Sequence, residues 1–160
     1  MSLLINLEAK TVVEDDFETL PDDQALPAGA GGCIVSLARW NAEREQLLAT
    51  GRAMGVELPN TMSMFDLDRS LLDRPLLALS FPTFSDGRAL SQARILRQKW
   101  RVKGRLRAEG HVLPDQLINL LRCGFSEVKP AGYAADFAAS MSVQTSLFVT
   151  SDTLKLRRGG

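Results

Sequence analysis

Two short segments hold the residue types that do chemistry. The first is Phe84-Ser85-Asp86-Gly87-Arg88, set between an apolar run and an amphipathic one. Asp86 or Ser85 can cap the helix that follows, Gly87 lets backbone approach a ligand, and Arg88 adds a planar fork of donors beside free helix N–H groups. Together they can hold an oxyanion such as sulfite, sulfate or phosphate. The same residues also make a plain capped turn in which Arg88 pairs with Asp86. The second segment is Glu109-Gly110-His111, with Asp115 and Gln116 just beyond. His111 is the one histidine of the chain and exchanges protons near neutral pH, and Glu109 or Asp115 can orient it for catalysis. The competing reading has His111 bonding its own turn while Asp115 and Gln116 satisfy first-turn N–H groups. Candidate residues are therefore His111 for acid–base work, and Asp86, Gly87, Arg88, Arg94, Arg107, Asp115 and Gln116 for an anion or a partner.

The other usual sources of chemistry are missing. Cys33 and Cys123 have no Cys-x-x-Cys spacing, and two cysteines with one histidine exclude an all-Cys/His zinc cluster or an iron–sulfur site within one chain. No serine has the Gly-x-Ser-x-Gly context of a hydrolase nucleophile, and no glycine-rich loop matches a dinucleotide or P-loop fingerprint. The expectation is a protein without metal, flavin, haem or other cofactor.

Charge is balanced in sum and lopsided in placement. The chain of 160 residues carries 19 basic and 19 acidic side chains. Residues 1–70 hold 12 acidic and 5 basic (5 − 12 = −7), and residues 71–160 hold 7 acidic and 14 basic (14 − 7 = +7). From Arg88 to Arg107 there are eight basic residues and no acidic one. Such a stretch can bind an oxyanion, an acidic protein or nucleic acid. It can equally be covered from within, the acidic half folding over the basic half. Nucleic acid ranks last, because aromatic residues are not interleaved and no helix-turn-helix pattern is present.

The elements that must position these residues are legible from periodicity. Residues 1–20 read as an arm or weak hairpin, Leu3–Leu7 and Thr11–Val13, ending in Glu14-Asp15-Asp16. Residues 21–32 are a Pro/Gly/Asp loop. A buried strand over Cys33–Leu37 leads to a helix over Ala38–Thr50, then a strand over Gly55–Pro59. A weak helix over Met64–Leu72 and a strand over Leu76–Phe81 follow; the latter is a continuous apolar run of the kind parallel sheets bury on both faces. Ala89–Trp100 repeats apolar residues at helical spacing. Arg105–Glu109 alternates, with Arg105, Arg107 and Glu109 on one polar face. A helix starts at Pro114 and stops at Arg122-Cys123-Gly124. Ser126–Lys129 is a last strand, and Tyr133 to about Ser142 a last helix. This predicts an α/β fold: about five mostly parallel strands alternating with helices, as an open sheet or partial βα barrel. The expected organisation is an arm and loop at 1–32, one α/β domain at 33–144 and a partly disordered tail at 145–160. No apolar run approaches the ~18 residues of a membrane span, and no secretory signal is evident, so the cytoplasm is expected.

The segment Pro75 to Arg94, followed by Gly104-Arg105-Leu106-Arg107-Ala108, Gly110 to Leu117 and Arg122-Cys123-Gly124-Phe125, closely resembles a bacterial family of unknown function. That family is encoded typically beside assimilatory sulfite reductase and is sometimes labelled an oxidoreductase. Val12-Val13-Glu14-Asp15-Asp16 and Ile34 to Trp40 look like its N-terminal signature, so the resemblance spans about residues 11–130. It implies a sulfur-assimilation context and carries no catalytic residue to transfer. The functional expectation is an accessory protein of sulfite or sulfate reduction. It would bind a partner, sulfite reductase or another sulfur-assimilation protein, or a small oxyanion, through its basic face. The rival expectation is a small enzyme, an oxidoreductase or other, acting on a sulfur oxyanion or phosphorylated compound with His111 as acid/base.

Overall fold

The computed structural model describes residues 2–131. Three strands come first: β1 (Leu3–Asn6), β2 (Thr11–Glu14) and β3 (Phe17–Thr19). They are followed by β4 (Gly32–Ser36), α1 (Leu37–Ala49), β5 (Met54–Leu58), β6 (Leu76–Phe81), α2 (Arg88–Gln98), β7 (Arg105–Gly110), α3 (Leu117–Cys123) and β8 (Glu127–Pro130). All eight strands form one mixed sheet in the order β2-β1-β8-β7-β6-β5-β4-β3. The six strands β3 to β8 are parallel and lie side by side in chain order, and β1 runs antiparallel to both β2 and β8.

Sequential parallel order means that every right-handed crossover steps the same way, so the three helices fall on one face. The main core is the layer between them. Cys33, Val35, Met54, Val56, Leu58, Leu77, Leu79, Leu106 and Ala108 face Trp40 and Leu47 of α1, Ala89, Ala93 and Leu96 of α2, and Leu117 and Leu120 of α3. With helices on one side only, the sheet curls into an open half-barrel whose concave face is lined by the alternate residues. At one end that face holds a small apolar cluster of Phe17, Ile34, Leu76 and Ala78. The curl is strong: the two edge strands, β2 and β3, are joined by only Asp15 and Asp16.

The α/β class is as expected; of the two arrangements left open, open sheet or partial βα barrel, the sheet is open and curled into a half-barrel, and the details differ. There are eight described strands rather than five, because the arm enters the sheet. Its hairpin adds β1 and β2, and the acidic Asp15-Asp16 leads directly into β3, which pairs with β4. The weak helix over Met64–Leu72 shrinks to a 3-10 turn at Arg69–Leu71, capped by the Asp68 carboxylate. That turn is tied to α1 by the Trp40 indole N–H, which donates to Ser70 Oγ at 3.1 Å. The segment starting at Pro114 opens as a 3-10 turn, Pro114–Gln116, before α3, and α3 ends on Gly124 in the left-handed conformation. The helix expected from Tyr133 and the tail at 145–160 lie outside the described residues. Among the described residues no helix is long and apolar enough to cross a membrane.

Candidate functional site

In parallel sheets, side chains and loops at the carboxyl ends of the strands are the usual reactive edge. Here β6 and β7 are neighbours in register, Phe81 opposite Gly110, so the loops that follow them leave the same end of the sheet. The structure brings both chemistry-bearing segments together there. The rings of Phe84 and His111 meet edge to face with centroids 5.4 Å apart. Gln116 ties the two loops: its Oε1 accepts from Leu113 N at 2.8 Å and its Nε2 donates to Phe84 O at 3.1 Å. His111 N donates to Phe81 O at 2.8 Å.

Within this rim the Asp86–Arg88 pair adopts the closed form of the two arrangements read from sequence. Arg88 Nε and Nη2 both donate to the Asp86 carboxylate, the shorter bond being 2.7 Å, and Arg88 N also donates to Asp86 Oδ1. Asn60 Nδ2 adds a fourth donor atom at 2.8 Å. These hydrogen bonds, those from the Arg88 side chain foremost, hold the Asp86 carboxyl down at about 2. Gly87 occupies the N-cap position of α2, with no side-chain cap. His111 and Asp115 are exposed, and neither Glu109 nor Asp115 bonds the imidazole, so among the described residues no catalytic pair is assembled around it. Arg94 stands exposed on the outside of α2.

Arg107 is in a different environment. It points into the concave face and is fully buried. Its Nε donates to Glu127 Oε1 at 2.7 Å, and its two terminal nitrogens grip Asp15 at 2.8 and 3.1 Å in a bidentate fork. Lys129 Nζ donates to the same Asp15 at 2.7 Å. Arg105 pairs with Asp16 at 2.9 Å and lies over the Phe17 ring. The acidic N-terminal half thus does cover part of the basic half. Arg97 is also used internally, donating to Val102 O, Gly104 O, Gly124 O and Ser126 Oγ.

Asp15, Glu127 and Lys129 are the members of this network that sequence reasoning missed as a group. Burial pushes the Asp15 carboxyl up, but hydrogen bonds from Arg107 and Lys129 outweigh that and hold it below the ordinary carboxylate value. Burial likewise opposes the charge on Arg107, and its bonds to Asp15 and Glu127 overcome this and raise it. Glu109, one residue pair further along β7, has no such help. Among the described residues its buried Oε1 accepts no hydrogen bond, and Arg107 Nη1 stands 3.6 Å away. Burial raises its carboxyl against the opposing charge of Arg107, and nearby Glu57 adds to the rise.

An acid whose pKa is higher in the folded than in the unfolded state favours folding while protonated and loses that advantage as pH rises from the ordinary value through the folded one. Glu109→Gln should therefore be more stable than wild type at pH 8, and the gap should close toward pH 4. Thermal melts of both proteins across that range check it. A constant difference would show that Glu109 does not titrate with folding.

The register places Ser80, Glu109 and Lys129 in one row across β6, β7 and β8, with Ala78, Arg107 and Glu127 one row deeper. This is a polar, ion-paired interior. Among the described residues no group of three His, Cys, Asp or Glu is placed to hold a metal ion. Both cysteines are buried and unpaired, and burial pushes the Cys33 thiol up, away from a reactive thiolate.

A family model described as a bacterial protein of unknown function (DUF934) matches residues 55–149, more than half of the chain. No curated protein and no solved structure matches it. The matched span runs from the second residue of β5 through β8 and takes in both rim loops, Arg107 and Glu109, while Asp15, which completes the interior network, precedes it.

Proposed function

We propose that this chain, which belongs to the bacterial family of unknown function DUF934, is an accessory protein of assimilatory sulfite reduction. It acts in the cytoplasm and docks an acidic surface of a partner, sulfite reductase or another protein of sulfur assimilation. The pathway context rests on the resemblance of residues 11–130. The docking mode rests on one structural observation, the sorting of the basic run. Arg88, Arg97, Arg105 and Arg107 are spent on internal partners. Arg94, Arg101 and Lys103 remain exposed on α2 and the loop after it, with no ion pair among the described residues. Lys99 beside them only rests on the Phe65 and Trp100 rings and Phe65 O. Unpaired surface cations on a segment without carboxylates steer an acidic partner and select against a basic one. Free sulfite, sulfate or phosphate is less well served, because the Arg88 fork already holds Asp86.

The rival reading, a small enzyme on a sulfur oxyanion or phosphorylated compound, retains one observation in its favour, the unbonded buried oxygen of Glu109. Proton chemistry would then fall to Glu109 rather than to His111.

The docking reading is tested with purified assimilatory sulfite reductase on a biosensor surface. Wild type should bind, more tightly at 50 than at 500 mM salt. The triple reversal Arg94→Glu, Arg101→Glu, Lys103→Glu should weaken binding at least tenfold at the lower salt, mostly through the association rate. Wild type that fails to bind the enzyme at micromolar concentration would overturn the proposal.

A further inference from the structure

Phe84 and Leu113 sit on the rim described above, and both stay well exposed, at 42% and 39% of their surface. Isolated exposed apolar residues need no explanation. These are different, because polar bonds hold them in place. Gln116 clamps the backbone at both Leu113 and Phe84. The Phe84 ring is braced against His111, whose own N–H is fixed to Phe81 O. Beside them Asp86 fixes the Arg88 guanidinium, whose Nη1 donates to no described residue while the side chain stays 57% exposed. The result is an aromatic and aliphatic edge with its backbone pinned at Phe84 and Leu113, next to a guanidinium oriented by Asp86. Such an edge orders little on binding, which is where interface affinity is usually lost. Aromatic anchors ringed by polar groups are also where binding energy concentrates.

We propose that Phe84, His111 and Leu113 form the anchor of the docking face, and that the partner presents to it an acidic segment carrying an aromatic or branched apolar side chain. The inference rests on the docking reading and names the partner's recognition element. The apolar side chain packs on Phe84 and Leu113. Flanking carboxylates pass the Asp86-paired Arg88 and are drawn along α2 to the unpaired Arg94. Asp115, exposed in the loop after β7, repels carboxylates and keeps them on the α2 side. The anchor and the cations should separate kinetically: charges set the approach, and the buried contact sets the lifetime.

The test uses two probes and the whole chain. The first is the purified sulfite reductase of the preceding experiment. The second is a hexapeptide of alternating glutamate and phenylalanine, followed by 15N chemical shifts of wild type. Phe84→Ala with Leu113→Ala should speed dissociation from the enzyme at least tenfold at both 50 and 500 mM salt. The peptide should shift the amides of residues 84, 88, 111 and 113. If the double variant binds the enzyme as wild type does, the anchor is wrong and the charged docking face stands. If wild type ignores the enzyme yet the peptide maps to the rim, the partner assignment falls and the anchor stands. If the peptide leaves the rim amides unmoved and the enzyme does not bind, both fall. The peptide mapping is done on wild type, so a fold defect in the variant cannot decide the matter.

Discussion

Asp15→Asn should lower the melting temperature by on the order of 10 °C, while Asp16→Asn, one residue away, should change it by about a degree or two. The two aspartates share a loop and a side chain and differ in burial. The Asp15 carboxylate is fully buried between Arg107 and Lys129. The Asp16 side chain is 63% exposed and meets a partly exposed Arg105. Removing one partner of a buried pair leaves an uncompensated charge and costs about 3–5 kcal/mol, whereas an exposed pair contributes about 0–1 kcal/mol. For a chain of this size 1 kcal/mol moves the midpoint by roughly 2–4 °C. Asparagine keeps the shape and one acceptor oxygen, so the loss reports charge rather than volume.

The pH dependence has a definite sign. Asp15 is held below the ordinary value of 3.8. Its stabilisation is present above that value and is lost as pH falls from there through the folded one. The deficit of Asp15→Asn should therefore shrink in melts below about pH 4. The same substitution should also loosen the seam, because Asp15 is the link by which the β2 edge reaches across to β7 and β8. Hydrogen exchange at β3 should rise before exchange at β6. If Asp15→Asn and Asp16→Asn behave alike, the interior network is not what closes the sheet.

Much of this architecture can be read from the residues. The strand at Leu76–Phe81 is found at the predicted positions because an unbroken apolar run leaves one option, a strand covered on both faces. The α3 terminus is likewise set by Gly124, whose positive φ few other residues adopt. The alternation Arg105, Arg107, Glu109 correctly marks a polar face, yet it does not say that this face is the inside. What turns it inward is one-sided helix packing, a property of strand order that no local pattern encodes. For the same reason nothing local in Glu14-Asp15-Asp16, the acidic end of the arm, marks Asp15 for burial. Its partners, Arg107 and Lys129, lie 92 and 114 residues later. The charge asymmetry between the halves was the available signal, and it pointed both to a partner and to self-coverage. The structure shows the self-coverage: Asp15 and Asp16 take Arg107 and Arg105, while Arg94, Arg101 and Lys103 have no ion pair among the described residues. Gathering the rim was easier to foresee, since two loops that each follow a parallel strand must leave the same end of the sheet.

Gly110→Ala should be the most damaging small substitution at that rim. Gly110 has φ +108, and a Cβ built on it would lie 2.5 Å from the Phe81 carbonyl oxygen, a backbone atom that cannot rotate away. Gly29 offers a matched control, with φ +113 and nothing within 4 Å of the added carbon. Both variants incur the conformational penalty of a side chain at positive φ, about 1–3 kcal/mol. Gly110→Ala must in addition push β6 and β7 apart where they are paired. Its melting temperature should fall several degrees further than that of Gly29→Ala. The displaced oxygen is the one that receives His111 N–H, so the shift passes directly into the His111–Phe84 contact. Folded Gly110→Ala, assayed well below its midpoint, should therefore bind sulfite reductase at least tenfold more weakly, with faster dissociation, while Gly29→Ala binds as wild type. A Gly110→Ala protein that loses stability and keeps full binding would separate the rim from the docking face. One that loses neither would mean that the two strands yield at Phe81 without strain. The expected result, loss of both, follows from a single carbonyl that pairs the strands and orients the anchor.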